Sequence, residues 1–198
     1  MPFPANWLEE LVVEWLDLVG FASTTKIRVP ADQGGAWSPD VAGAKLIPDE
    51  GRLLIRHCEV AMYLNQGPER HAKKYKHKFS QKVEQAILDH FVLIFGPSAV
   101  QQTRYEKWVI CCQVSRPTTL RLQQEVPKIH IRLLDDFVLN EVLPSIEQWR
   151  QPPHTKMTTL PADKWLLGLI DLFKHFDLIS LARGNRRSRA PRIGAERH

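Results

Sequence analysis

Cysteine is scarce: Cys58, Cys111 and Cys112 are the only three in 198 residues, an odd set that includes an adjacent pair. Neither a disulfide framework nor a zinc ribbon can be built from that spacing, so reduced core thiols are expected. Long apolar runs are missing as well, and none approaches the roughly 20 residues that a membrane-spanning helix requires. The opening Met1-Pro2-Phe3-Pro4-Ala5-Asn6 has no basic start, apolar stretch or small-residue cleavage site, so no secretory signal is expected there. The expectation is a soluble, cytoplasmic chain with no membrane partner. No internal repeat is found. The main body also lacks charge of one sign. The formal net charge is +5, and Arg183, Arg186, Arg187, Arg189, Arg192 and Arg197 against Glu196 account for all of it. What the body does have is a local excess: Arg70, Lys73, Lys74, Lys76, Lys78 and Lys82 follow one another with no acid between them, a pattern able to hold phosphates.

A chain of this length holds one full core. The reading is a domain over 1–150, a Pro-rich linker over 151–161, a C-terminal helix over 162–180 that packs on the core, and a basic, Arg-rich tail over 181–198 too poor in apolar groups to fold alone. Trp7, Leu8, Leu11, Val12, Trp15, Leu16 and Val19 recur at helical spacing, with Asn6 as N-cap and Gly20 as stop. Phe21 to Pro30 reads as a first strand. Two apolar runs, Trp37 to Leu46 and Arg52 to Val60, joined across Pro48-Asp49-Glu50-Gly51, read as a hairpin. One long helix is predicted from about Gln66 to Phe95. The continuous apolar run Lys107 to Val114 predicts a strand covered on both faces, Thr118 to Gln124 a short helix, and Ile129 to Leu134 another strand. Asp135-Asp136 are expected to cap a helix running to Trp149 and kinked near Pro144. The fold class is α/β, with a mixed sheet flanked by helices on both faces.

Polar groups in the hairpin stand out. Side chains alternate along a strand, so His57 and Glu59 share one side, Cys58 faces the other, and Asp40 opens the neighbouring strand. Two carboxylates and an imidazole gathered in this way suit a divalent cation.

The αβββαβ order, Pro39-Asp40 opening the second strand and the polar pair His57 and Glu59 ending the third resemble the PD-(D/E)XK superfamily of restriction endonucleases, junction resolvases and repair nucleases, over roughly residues 7–140. The resemblance implies a restriction-endonuclease-like core and an Mg²⁺- or Mn²⁺-dependent endonuclease acting on nucleic acid, DNA in the first instance. The alternative is a catalytically degenerate member that binds nucleic acid or a protein. Asp40 matches the motif aspartate, His57 the middle acidic position and Glu59 the position usually held by lysine. Asp40, Glu59 and His57 are then the metal ligands and, with a glutamate of the first helix, Glu9 by its place with Glu10 and Glu14 as alternatives, the catalytic set. Glu9 also fits a capping box with Asn6. Lys73, Lys74, Lys76, Lys78, Gln81 and Lys82 would contact the nucleic-acid backbone, with Lys78, Gln81 and Lys82 on one helical face. A homodimer is left open.

Overall fold

A computed structural model describes residues 6–30, 36–63, 67–100, 103–151 and 160–175. Helix α1 (Trp7–Leu18) starts where Asn6 predicts. The Asn6 side-chain oxygen accepts from the backbone N–H groups of Leu8 and Glu9 at 3.0 Å each, and Gly20 beyond the last turn has φ 84°. The expected strand over Phe21–Pro30 is instead two short pieces. β1 (Ala22–Thr24) joins the edge of the main sheet, whereas β2 (Val29–Pro30) pairs antiparallel with β3 (Ala36–Trp37) in a separate ribbon. Thr24 Oγ1 accepts from the Lys26 N–H at 3.2 Å and turns the chain between them. The divided destination of the side chains requires this turn: Phe21 is buried in the α1 layer, while Ile27 and Val29 are buried on the other side of the sheet.

The hairpin forms as predicted. β4 (Val41–Ile47) and β5 (Arg52–Tyr63) pair antiparallel with Val41 opposite Cys58 and Ile47 opposite Arg52, and Gly51 takes the positive φ of 60° that the turn needs. The long helix expected over 66–95 is two helices, α2 (Pro68–Lys78) and α3 (Gln81–Phe95). Their buried faces enter different clusters. Ala72, Tyr75 and Phe79 pack with Val109, Cys111 and Ile131, whereas Val83, Ile87 and Phe91 pack with Ala42, Leu53 and Ile55. Phe79 caps α2, its N–H bonding to the Tyr75 carbonyl at 2.9 Å, and Ser80 in extended conformation starts α3. A serine is a common helix-starting residue, but its signal is lost inside an apolar pattern that never changes phase.

A short turn, α4 (Pro97–Val100), leads to β6 (Thr103–Gln113), α5 (Arg116–Glu125) and β7 (His130–Leu133). The sheet order is β1-β4-β5-β6-β7, antiparallel from β1 to β5 and parallel from β5 to β7. β6 is buried on both faces: Trp108 and Ile110 belong to one cluster, Val109 and Cys111 to the other. Helix α6 (Leu134–Phe137), a π-helical turn at Val138–Val142 and α7 (Leu143–Trp149) follow. Asp135 and Asp136 are not caps. Leu133 holds the cap position, and the two aspartates lie in the first turn of α6, where Arg116 Nη2 reaches them at 3.4 and 3.1 Å. The kink expected at Pro144 takes the form of the π-turn: the Leu143 N–H reaches back to the Val138 carbonyl. The widened turn makes room where the proline ring would crowd the carbonyl four residues earlier and its missing N–H breaks the ladder. α8 (Trp165–His175) inserts Leu166 and Leu167 into the α1 cluster. Most of the linker, 152–159, and everything from 176 onward, including the Arg-rich tail, lie outside the described residues. The architecture is α/β, with α1, α6, α7 and α8 on one face of the mixed sheet and α2, α3 and α5 on the other.

Candidate functional site

Asp40 stands one residue before β4. Carrying the hairpin register one step beyond Val41 opposite Cys58 sets Asp40 level with Glu59. The Val60 N–H donates to Asp40 Oδ2 at 2.8 Å and ties the carboxylate to β5. Arg56, Cys58 and Val60 point toward α1. His57 and Glu59, alternating with them, point toward α2 and are fully buried. Lys78, in the last turn of α2, reaches back over the sheet: its Nζ donates to Glu59 Oε2 and lies 3.4 Å from Asp40 Oδ1. Two carboxylates from neighbouring strands thus share one ammonium. Asp40 and Lys78 keep about a fifth of their side-chain surface exposed, at 20% and 21%, so the cluster opens to solvent at that corner.

Behind Glu59 the polar chain continues inward. His57 Nε2 lies 3.1 Å from Glu59 Oε1, and His57 Nδ1 lies 3.1 Å from the Tyr105 hydroxyl. The Phe79 ring closes over the imidazole edge-on with centroids 4.5 Å apart. Lys107 Nζ donates to the Phe79 carbonyl at 3.3 Å and pairs with Glu84. Burial pushes the His57 imidazole down to a pKa of about 3, and the Lys78 and Lys107 ammoniums push the same way. A third positive charge in this corner is disfavoured, so His57 is neutral at pH 7. Burial also raises the Tyr105 phenol, with Glu84 and Cys58 adding to it. Tyr105 therefore keeps its proton and donates to His57 Nδ1, which makes Nε2 the protonated nitrogen and the donor to Glu59. One carboxylate oxygen is held by an imidazole and the other by an ammonium.

Of the residues singled out from sequence, Asp40 and Glu59 come together and His57 stands directly behind them. Both ring nitrogens of His57 have protein partners, an arrangement that orients Glu59. Glu9 lies in the first turn of α1, the helix on the opposite face, where its N–H donates to Asn6 Oδ1 and its carboxylate accepts from the Asn6 side-chain amide, Nδ2, at 2.7 Å. Lys78 belongs to the carboxylate pair, not to an outward-facing basic surface. Lys73, Lys74 and Lys76 are exposed on α2, and Gln81 and Lys82 are exposed in the first turn of α3. Because the chain breaks at Phe79-Ser80, Lys78, Gln81 and Lys82 do not share the single helical face expected for them. Tyr105, Phe79 and Lys107 escaped sequence reasoning. Tyr105 and Lys107 meet His57 through the parallel pairing of β5 with β6, which sets His57 opposite Lys107, and Phe79 through the packing of the end of α2 on the sheet; nothing local in the chain announces either contact.

Asp40 and Glu59 each direct an oxygen at the Lys78 ammonium. Among the described residues no group of three or more His, Cys, Asp and Glu side chains is placed to hold a metal. A cation here would take two carboxylates from the chain and complete its shell with water and phosphate oxygens, which suits Mg²⁺. Comparison with protein-family models, with curated proteins and with solved structures finds no match. No described helix is long and apolar enough to cross a membrane.

Proposed function

We propose that this chain is a metal-dependent endonuclease that hydrolyses phosphodiester bonds in DNA, built on a restriction-endonuclease-like core. The observation that carries the reading is the shared approach of Asp40, Glu59 and Lys78 at the solvent-open corner of the sheet, next to the exposed lysines of α2. On this reading we lay the chain on the PD-(D/E)XK pattern one step differently. Glu59, level with Asp40, takes the middle acidic position. Ala61, two residues on, takes the position usually held by lysine, and Lys78 brings an ammonium to the site from α2 instead.

Asp40 and Glu59 would hold Mg²⁺ or Mn²⁺, which when bound neutralises phosphate charge and makes a water nucleophilic at neutral pH. Lys78 supplies a fixed positive charge beside both carboxylates, placed to stabilise the charge that gathers on the phosphate oxygens as the P–O bond breaks. His57, held by Tyr105, fixes one oxygen of Glu59, so the carboxylate does not have to reorganise when a phosphate arrives. Lys73, Lys74, Lys76 and Lys82 grip the backbone without reading bases. The test is nicking of supercoiled plasmid with Mg²⁺ or Mn²⁺ by the full chain beside Asp40→Asn and Glu59→Gln. Cleavage that vanishes with chelator and in both variants is expected; cleavage retained in both rejects the site.

One observation favours a second reading, a catalytically degenerate protein that binds nucleic acid or a partner: Lys78 already neutralises the carboxylates. Calorimetry with Mn²⁺ tests this closure, since heat of binding that disappears in Glu59→Gln contradicts a carboxylate pair sealed by Lys78, and cleavage by the same protein decides between the two readings.

A further inference from the structure

Beside the carboxylates stands an aromatic pair that hydrolysis does not use. Trp37, on the β2–β3 ribbon three residues before Asp40, lies against His77, the residue before Lys78, with ring centroids 6.2 Å apart and planes inclined by 31°. Trp37 is half-buried against the α3 cluster and thereby held in place, whereas His77 is exposed. Trp37 precedes Asp40 by three residues and His77 directly precedes Lys78, so the rings lie within a short span of chain from both groups that a phosphate would reach. His77 also ends a stripe. Arg70, Lys73, Lys74 and His77 are spaced i, i+3, i+4 and i+7 on α2 and are all exposed, which puts them on one face over about 10 Å of helix. Glu69, in the first turn, is the one carboxylate of α2.

A cationic track that ends in aromatic rings suits a strand whose bases are unpaired. Phosphates follow the lysines, and a base finds a π-face to stack on whatever its identity. A duplex offers its phosphates to the same track but keeps its bases stacked on one another, leaving the rings idle. We propose that Trp37 and His77 form a base-stacking platform and that the substrate of this site is a single-stranded stretch of nucleic acid, with the base beside the target phosphate resting on Trp37. This rests on the nuclease reading for its purpose but not for its test.

Binding is measured with the full chain carrying Asp40→Asn, without divalent metal, by fluorescence anisotropy of a labelled oligothymidylate, an abasic strand of equal length and a blunt duplex of that length. The oligothymidylate is expected to bind more tightly than either of the others. Trp37→Ala should weaken its binding by about 5- to 150-fold while leaving the salt slope unchanged, and Lys73→Ala should flatten the slope. Trp37→Phe, which keeps an apolar ring on the α3 cluster, should retain most of the preference for bases over the abasic strand. Equal binding of the abasic strand and the oligothymidylate, or of the duplex and the oligothymidylate, overturns the platform without reference to any variant. A chain that prefers unpaired bases yet never cleaves loses the nuclease reading alone; one that cleaves yet ignores the bases loses the platform alone.

Discussion

Replacing His57 by glutamine isolates the electrostatics of the buried corner. In the folded chain the imidazole is held near a pKa of about 3, mainly by burial and further by Lys78 and Lys107, against 6.5 when unfolded. The proton therefore binds the unfolded chain and not the folded one between these values. A group depressed in this way leaves stability untouched above its unfolded pKa and costs stability progressively as the pH falls from 6.5 toward 3, by about 1.4 kcal/mol per pH unit once well inside that window. Going from pH 7 to pH 4.5, the His57 contribution to the loss comes to about 2–3 kcal/mol. Glutamine can donate to Glu59 Oε1 and accept from the Tyr105 hydroxyl, so His57→Gln keeps the buried hydrogen bonds while removing the titration. Urea unfolding of both proteins at the two pH values is the assay. Carboxylates that titrate in both chains, such as Glu106, which Arg56 and Trp108 hold below its usual range despite burial, cancel in the comparison. The expected result is a pH-dependent loss smaller by about 2–3 kcal/mol in His57→Gln. Parallel loss in the two proteins, or a His57 imidazole resonance titrating near its unfolded value in the native state, would refute a neutral, buried His57.

Two further outcomes follow from other contacts. Lys78→Met removes the charge that competes with a divalent cation for Asp40 and Glu59, so calorimetry should find tighter Mn²⁺ binding, while plasmid nicking slows by about 100-fold for want of a preorganised positive charge; weaker Mn²⁺ binding would contradict the shared site. Glu14, buried in α1, accepts from the Leu166 and Leu167 N–H groups at 3.2 and 2.9 Å and so caps α8 from another helix. Glu14→Ala should cost about 1–3 kcal/mol in chemical denaturation and speed amide exchange in α8 ahead of the sheet; exchange unchanged in α8 would dismiss the cap.

How far the chain could be read depended on the range of the interactions. Asn6 and Gly20 bounded α1 and Gly51 made the hairpin because each acts on its own neighbours. Alternation along β5 correctly separated His57 and Glu59 from Cys58 for the same reason. The long helix failed because its apolar phase runs unbroken through Phe79 and Val83, and only the presence of two clusters under the sheet divides it. Lys78 looked like one more lysine in a run. Its neighbours Lys76 and His77 are solvated, and no local rule distinguishes it from them.

Local residue chemistry by itself determined a pair of acids on a hairpin, the faces of its strands and a basic segment after it, since covalent spacing and side-chain period are properties of the chain alone. The tertiary structure alone decided which of those charges meet. The parallel pairing of β5 with β6 brings Tyr105 and Lys107 to His57, and the packing of α2 across the sheet brings Lys78 onto Asp40 and Glu59. Both depend on packing between segments far apart in sequence, and such packing is selected by the burial of the whole core, not by any motif within it.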